Sequence, residues 1–370
     1  MIVSRLLLSL CLGLALASPA HGADAKKRII IVSSYHKEYL WSQSTQQGVS
    51  AAMLKYGYLD SPQQAAALAA NDHVESRKAL VKKVWMDTKR KSALPDMAMA
   101  TKRILAVLKD FRPDLVLLGD DNAANYIGTQ LLDTEIPVVF WGINGLPLKY
   151  GLVDSMDNPG HNVTGVWQAG YHKESLELLK MLVPGAKTFA ILACDSETSR
   201  ANIKQIRALA QRGTLALRLV DVVATNSFTQ FKTRVRALAE QVDAFFVLNH
   251  DTMRDDQGRH VDMLEVGKWY LQNIKRPEAS HEDQFVREGM LLAANDSGHN
   301  QGFVAFEMAY DILEQGLNPR HMRTRVPPKG PNMVNRQRAQ MLGISLEGKM
   351  DRIEEIVEIA LALRQRWSVR

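Results

Sequence analysis

The sequence contains little cysteine, and this scarcity excludes several classes of protein. Only Cys11 and Cys194 occur in 370 residues. Cys11 lies inside the N-terminal apolar stretch described below, so a chain that has lost this stretch retains Cys194 alone. Such a chain has neither an internal disulfide nor a zinc site built from several cysteines. We therefore expect Cys194 to pack as a small apolar residue.

Long apolar runs and blocks of like charge are also missing. Beyond the N-terminus no stretch of about 18 apolar residues occurs, so no membrane-spanning helix is predicted there. The formal net charge is +6, but the basic residues are scattered. Short clusters such as Lys89-Arg90-Lys91 favour solvated faces over a nucleic-acid surface. A hydrophobic content of 46% with 23% charged residues is typical of a globular protein.

Motifs that mark common enzymes are absent as well. The sequence has no Gly-x-Gly-x-x-Gly after its first predicted strand, no Walker A loop and no Gly-x-Ser-x-Gly elbow. His250-Asp251 and His281-Glu282 contain metal-ligating residue types, but neither has the i, i+4 spacing of a zinc-binding helix. We therefore predict a protein without enzymatic activity, cofactor or metal. The enzymatic alternative is a secreted hydrolase that uses His250, Asp251 or His281.

The N-terminus has the pattern of a secretory signal peptide. Arg5 supplies a positive charge, and residues 6–17 form an apolar segment that is too short to span a bilayer. Small residues follow at Ala20 and Gly22, the positions that a signal peptidase requires. The sequence therefore predicts that residues 1–22 are removed and that the mature protein is exported.

Apolar, β-branched segments alternate with helical patterns along the rest of the chain. This alternation predicts βαβ units and parallel sheets, and the length exceeds what one hydrophobic core usually supports. We therefore predict an α/β protein with two doubly wound, parallel-sheet lobes. The predicted strands are 28–34, 80–86, 114–119, 136–141, 187–193, 216–223, 242–248 and 290–294. The predicted helices are 41–56, 97–111, 123–132, 196–211, 228–241, 261–273, 302–315 and an amphipathic helix, 351–366, within the C-terminal segment 350–370.

Small polar and aromatic residues gather at the carboxyl ends of the predicted strands, where open α/β sheets bind ligands. Such side chains can hydrogen-bond to and stack on a small molecule held between two lobes. We expect the first lobe to contact the ligand through Ser34, Tyr35, Trp41, Asp120, Asp121 and Asn144. From the second lobe we expect contacts from Asp195, Ser196, Asn249, Asp251 and Asp296.

The chemistry of these residues indicates how such a ligand is held. A carboxylate such as Asp121 or Asp251 would neutralise an ammonium group, while Ser196 and the backbone N–H groups behind it would hold a carboxylate. For Asp121 and Ser196, capping of the following helix is an equal alternative to ligand contact. Since adjacent residues at a strand end point to opposite sides, we expect only one of Asp120 and Asp121 to face the cleft.

Several further segments carry a resemblance to a known protein family through their order and spacing along the chain. They are 136–140 (IPVVF), 158–165 (NPGHNVTG), 178–187 (LLKMLVPGAK), 242–247 (VDAFFV), 287–289 (REG) and 302–309 (GFVAFEMA). Together they resemble the ABC transporter substrate-binding protein family that includes periplasmic tryptophan- and tyrosine-binding proteins, from about Arg28 to Leu346. The resemblance implies a type I periplasmic binding fold with several hinge crossings. It places lobe I at 26–163 plus 298–325, lobe II at 165–296 plus 326–346, and hinge glycines at Gly165 and Gly298.

Residues 33–36 with Trp41, 86–90 and 120–123 are similar to one branch of this family. In that branch the fold also serves as the extracellular sensor of histidine kinases and diguanylate cyclases. Because the sequence ends without a kinase or cyclase segment, the resemblance implies a free periplasmic protein. The expected function is capture of a small polar ligand, with an aromatic amino acid or related metabolite as the favoured class, and its delivery to an ABC permease. The alternative is a periplasmic sensor that signals to a membrane histidine kinase or diguanylate cyclase.

Overall fold

The strands form two separate sheets. The computed structural model describes residues 25–364, so the predicted signal peptide, residues 1–22, lies outside the described residues. The strands of the first sheet are β1 (Lys27–Ser33), β2 (His73–Glu75), β3 (Ala79–Trp85), β4 (Leu115–Gly119), β5 (Val138–Asn144) and β6 (Val163–Gln168). Those of the second are β7 (Thr188–Ala193), β8 (Arg218–Ala224), β9 (Ala244–Val247), β10 (Glu278–Ser280), β11 (Leu292–Ala294), β12 (Asn332–Asn335) and β13 (Glu355–Val357).

Helices cover both faces of the sheets. They are α1 (Leu40–Lys55), α2 (Pro62–Asn71), α3 (Leu94–Phe111), α4 (Asp120–Tyr126), α5 (His172–Leu182), α6 (Glu197–Gln211), α7 (Phe228–Ala239), α8 (Met263–Asn273), α9 (Asp283–Glu288), α10 (Gly298–Gln315) and α11 (Arg336–Met341). No helix among residues 25–364 is both long and apolar enough to cross a membrane.

The strand orders confirm two doubly wound α/β lobes. The first sheet has the order β2-β3-β1-β4-β5-β6, and every pair except β2 with β3 is parallel. The second has the order β13-β12-β11-β10-β9-β7-β8, in which only β11 and β12 are antiparallel. The central strands are buried on both faces, as in Ile29–Val32, because helices lie above and below them.

The chain leaves the first sheet later than the sequence suggests. Val163 to Gln168 form β6 and pair with β5, so the chain stays in the first sheet beyond the predicted crossing near residues 163–165. The hinge role of Gly165 stays a prediction. A Cβ atom at residue 165 would lie 2.3 Å from the carbonyl oxygen of Phe140. Glycine is therefore present because two neighbouring strands approach closely, and a strand interrupted by glycine is hard to detect from sequence.

Two later passages connect the lobes. Residues 295–297 link β11 of the second sheet to α10, which packs along α1 of the first lobe. Gly298 begins α10, and a Cβ atom there would lie 3.1 Å from atoms of Ser44 and Trp41. Arg325 still bridges to Val166 of the first lobe, and the chain then enters β12 of the second sheet. The hinge role of Gly298 stays a prediction.

The predicted C-terminal amphipathic helix is wrong as far as residue 364. Residues 350–352 form a 3₁₀ turn, Glu355–Val357 form β13, and residues 361–363 form another 3₁₀ turn. Ile356 and Val357 lie beside Val334 and Asn335 in a parallel ladder with β12. Pairing at the open edge of the sheet overrides the helical spacing of the apolar residues, and β-branched side chains suit a strand.

Candidate ligand-binding cleft

The two lobes meet around a polar cleft at the carboxyl ends of their parallel strands. Its lining side chains follow β1, β4, β5 and β6 on one lobe and β7, β9 and β10 on the other, as expected for this sheet type. They are Tyr35, Tyr39, Trp41, Asp120, Asn144, Gln168, Thr198, Asn249, Glu282 and Gln284. The enclosed volume is about 10 Å³, room for roughly one water molecule. A larger ligand therefore enters only when the lobes move apart.

Asp120 occupies a strained position at the cleft. Its φ is +71°, in the left-handed region that side chains other than glycine rarely adopt. The indole Nε1–H of Trp41 donates to Asp120 Oδ1 at 2.6 Å, and a Cβ atom on Gly142 would lie 2.4 Å from the same oxygen. Burial raises the pKa of Asp120 well above its usual value, and the hydrogen bond from Trp41 offsets only part of this effect.

Three amide side chains present unpaired oxygens among the lining residues. Gln168 donates from Nε2 to Glu282 Oε1 at 3.1 Å, and Gln284 donates to Glu282 Oε2. Asn249 donates from Nδ2 to Asp251 at 3.2 Å and to Tyr39 at 3.3 Å. A carboxylate only accepts, so it fixes each amide with nitrogen towards it and oxygen away. Gln168 Oε1, Asn249 Oδ1 and Gln284 Oε1 have no hydrogen-bond partner.

The lining is therefore acceptor-rich. Among the described lining residues, the buried side-chain atoms that have no partner are these three oxygens. The carboxylate of Glu282 adds negative charge beside them, and the carboxyl group of Asp120 adds further oxygen acceptors. Unpaired buried acceptors cost free energy, and a group that carries several N–H donors and a positive charge would satisfy them. The site thus has the chemistry to hold an ammonium group.

Lys89, Asp251 and Tyr39 form a buried network that joins the lobes. Lys89 Nζ of the first lobe lies 3.0 Å from Asp251 Oδ2 of the second, with both side chains at most 4% exposed. Tyr39 donates its hydroxyl to the same carboxylate. Burial alone would disfavour both charges, but each partner outweighs it: the pKa of Lys89 is raised and that of Asp251 is lowered. Lys89 also lies 4.2 Å from the ring centre of Tyr35.

Further polar contacts cross the cleft. The hydroxyls of Tyr35 and Thr198 are 3.4 Å apart. Asn202 donates to Asn144 Oδ1 at 2.9 Å, and Tyr150 donates to Glu197 at 2.6 Å. Together with the Lys89 network, these contacts hold the lobes against each other.

Five of the predicted contact residues line the cleft: Tyr35, Trp41, Asp120, Asn144 and Asn249. Asp251 lies just behind them in the network with Lys89. Of the adjacent acids, Asp120 faces the cleft, whereas Asp121 is buried against Lys149 at 2.9 Å. The alternative that Asp121 caps the helix is wrong, because α4 begins at Asp120 and its cap position is Gly119.

The other predicted contact residues lie away from the cavity. Ser34 is buried between β4 and α4, where its hydroxyl donates to the carbonyl of Gly119 and accepts from the N–H of Ala123. Asp195 is 51% exposed and pairs with Arg200. Ser196 caps α6 by accepting from Ser199 N–H at 3.2 Å. Asp296 accepts from Gly170 N–H at 2.7 Å and from Gln301 Nε2 at 3.2 Å. Their roles in ligand binding stay predictions.

The sequence predictions missed several lining residues: Tyr39, Gln168, Thr198, Glu282 and Gln284. Gln168 ends β6, and Glu282 follows β10, two strands that were not predicted. Tyr39 and Thr198 lie within a few residues of Tyr35 and Ser196. Including the next few residues after each predicted contact would therefore have found them. The cluster Lys89-Arg90-Lys91 predicts a solvated face, but Lys89 is buried, at 3% exposure. Among residues 25–364 no group of three or more His, Cys, Asp or Glu side chains is arranged to hold a metal.

Two α/β lobes around a polar interlobe cleft form the architecture of a small-molecule-binding protein. The family model described as ABC transporter substrate binding protein matches residues 78–354, and the chain belongs to this family. The resemblance found in the sequence is thereby confirmed. The family is one of ligand-binding transport proteins rather than an enzyme class.

Individual relatives agree with this assignment. A tyrosine-binding protein of Clostridioides difficile is 23% identical over 181 residues, and the chain spans about half of that relative's length, 49%. A Streptococcus ABC domain solved with L-Trp has a TM-score of 0.69 at 20% identity, with 90% of this chain and 100% of that chain covered. A substrate-binding protein with adhesive properties from Clostridium difficile, in a ligand-free open form, has a TM-score of 0.64 at 20% identity, covering 90% and 99%. These structures show that the chain has the type I periplasmic binding fold.

Proposed function

We propose that the protein is a periplasmic receptor that captures a primary amine of the amino-acid class and delivers it to an ABC permease. The observation that carries the proposal is the set of unpaired oxygens on Gln168, Asn249 and Gln284 beside the carboxyl groups of Asp120 and Glu282. An ammonium group supplies three N–H donors and one positive charge. The predicted signal peptide, residues 1–22, supports the periplasmic location.

The other end of an amino acid finds donors at the N-terminus of α6. Ser196 caps this helix, and Thr198 in its first turn lines the cleft. Free backbone N–H groups at a helix N-terminus favour a carboxylate. Tyr35 and Tyr39 lie edge-to-face at 5.1 Å and, with Trp41, supply an aromatic wall. The relatives named for tyrosine and bound to L-Trp support an aromatic side chain, for which the lobes must separate further than they do here.

Titration calorimetry with matched ligand pairs tests the ammonium site. L-Tryptophan and L-tyrosine should bind, whereas indole-3-propionate and 3-(4-hydroxyphenyl)propionate, which lack only the amine, should bind at least tenfold more weakly. Because burial raises the pKa of Asp120, entry of an ammonium group should release a proton. The apparent binding enthalpy should then depend on the ionisation enthalpy of the buffer. Unmodified ligand should be recovered after incubation, since no turnover is expected.

Two aspartate variants make this test specific. Asp120→Asn should weaken amine binding by about 10- to 100-fold, since a hydrogen bond to a charged group contributes roughly 1.5–3 kcal/mol, and should abolish proton release. Asp221→Asn changes a partly exposed carboxylate paired with Arg234 and should leave affinity unchanged. Equal binding of the amine and its des-amino analogue would overturn the proposal, as would an unaltered affinity of Asp120→Asn.

Transport and sensing share the same capture step, so the output needs its own test. The sensor alternative rests on the motifs that follow β1, β3 and β4, and the C-terminal segment, part of which forms β13, adds no support to it. We therefore place transport first. Liganded protein should stimulate ATP hydrolysis by a permease reconstituted from the same genome. Stimulation of a membrane kinase or cyclase instead would establish the sensor role.

A further inference from the structure

A second cavity lies on the first lobe, outside the interlobe cleft. It has a volume of about 550 Å³, is open to solvent on one side and is lined by α1, α2 and β3. One wall is a row of small side chains on α2, namely Ala65, Ala66 and Ala69, and Leu54 of α1 extends this apolar surface. The volume falls within the roughly 300–1,000 Å³ of small-molecule sites.

The floor of this cavity contains an unusual lysine. Along β3, alternate residues face α1 and α2, and Ala79 and Val81 on this face belong to the buried core. Lys83 is next in this row and is only 4% exposed. A charged residue at a core position conflicts with the apolar pattern of the strand, and such local conflicts are expected at functional sites.

The amine of Lys83 is poorly compensated. It donates to Gln46 Oε1 at 2.6 Å and lies 4.0 Å from the ring centre of Trp85. Among the described residues it forms no ion pair, and burial lowers its pKa to about 7. Asp72 also lines the cavity; its Oδ2 pairs with Lys37 at 2.9 Å, and its Oδ1 is buried without a hydrogen-bond partner. An acidic group placed next to Lys83 would restore its charge and satisfy its remaining donors.

Two further donors belong to the lining residues. The hydroxyl of Ser42 and the indole Nε1–H of Trp85 are buried without a hydrogen-bond partner. Ser42 is 2% exposed. With Lys83, they form a donor set that a carboxylate, with four lone-pair positions on two oxygens, can satisfy.

We propose that this cavity binds a small free carboxylate with an apolar body. The carboxylate pairs with Lys83 and accepts hydrogen bonds from the Ser42 hydroxyl and the Trp85 indole Nε1–H. The apolar body of the ligand lies along the alanine row of α2 and Leu54. The site is separate from the interlobe cleft, whose lining favours an ammonium group, so the two sites select opposite charges.

Octanoate is the probe for calorimetry and protein-observed NMR, with octanol and octylamine as probes of equal length. Octanoate should bind, and octanol and octylamine should bind at least tenfold more weakly. Lys83→Met should reduce octanoate affinity at least tenfold, whereas Lys82→Met, on the opposite face of β3, should leave it unchanged. Lack of octanoate binding, or equal binding to the Lys83→Met protein, would overturn the proposal.

A second pair of variants avoids any change to a buried group. Ala66 is exposed on the cavity wall, and its neighbour Ala67 does not line the cavity. Ala66→Phe should fill the cavity and abolish octanoate binding, while Ala67→Phe should retain it. Neither variant should alter binding of an amino acid in the cleft. Octanoate binding that survives Ala66→Phe would place the carboxylate elsewhere and contradict the assignment.

Discussion

The Lys89–Asp251 ion pair should determine how readily the lobes separate. The pair is buried, it joins the first lobe to the second, and Tyr39 donates to the same carboxylate. Replacing Lys89 with Met keeps the length of the side chain and removes its charge. Asp251 is then left without its cation while the lobes stay closed, and it regains water when they open. We therefore expect Lys89→Met to shift the protein towards an open form.

The size of this shift follows from the geometry. At the N–O distance of 3.0 Å, the Coulomb attraction is about 5.5 kcal/mol at an effective dielectric constant of about 20. Desolvation of both charges offsets part of it, and removing one partner of a buried pair costs about 3–5 kcal/mol. Because opening relieves that cost, the ratio of closed to open protein should fall by about 100-fold or more.

Small-angle X-ray scattering of the free protein measures this change as a larger radius of gyration. Lys91→Met, which removes an exposed lysine two residues away, is the matched control. The pair also sets a pH window. Because the pKa of Asp251 is lowered, its contribution to stability is present above its unfolded-state pKa and is lost as pH falls through its folded-state pKa. Because the pKa of Lys89 is raised, its contribution to stability is lost as pH rises through its folded-state pKa. Unchanged scattering by Lys89→Met would refute the reasoning.

Three further changes test other parts of the structure. Lys83→Met should raise the free energy of unfolding at pH 7 by up to about 4 kcal/mol, because burial lowers the lysine pKa from 10.5 to about 7. Calorimetry should show that this gain in stability shrinks as pH rises towards about 10. Burial raises the pKa of Asp296 from 3.8 to about 6, so its contribution to stability should fall by on the order of 3 kcal/mol as pH rises between these values. Thermal unfolding should show this loss of stability with rising pH in the wild type and not in Asp296→Asn. Gly165→Ala brings a Cβ within 2.3 Å of the Phe140 carbonyl oxygen and should cost about 1–3 kcal/mol; Gly185→Ala, with no atom within 4 Å, should change denaturant stability by less than about 0.5 kcal/mol.

The fold was predictable from sequence because its central strands are continuous apolar runs. Residues 28–34 and 114–119, for example, correspond to β1 and β4, both buried on two faces. Alternation of such runs with helical patterns leaves little choice besides parallel sheets covered by helices. The same logic located Asp120 and Asn249, because polar residues that follow buried strands lie at the ligand-binding edge.

Short strands and tertiary pairing defeated the same approach elsewhere. β10 has only three residues, and β6 contains a glycine, so neither gives a strong strand pattern. Missing them removed Gln168, Glu282 and Gln284 from the predicted site. The stretch that contains β13 has helical spacing, but an open strand edge decided its conformation. The sequence pattern of a segment indicates its local conformational preference. Whether these segments form strands depends instead on which neighbouring strand is available for pairing.

Charge, more than aromatic stacking, should decide whether a ligand closes the cleft. Asp120 and Gln168 belong to the first lobe, whereas Glu282, Asn249 and Gln284 belong to the second. An ammonium group can contact both sets only when the lobes are together, so it binds the closed form more tightly than the open form. A ligand shifts a conformational equilibrium only by this difference in affinity. Stacking on Tyr35 and Trp41 uses one lobe alone and is available to an open protein, so it strengthens binding without favouring closure.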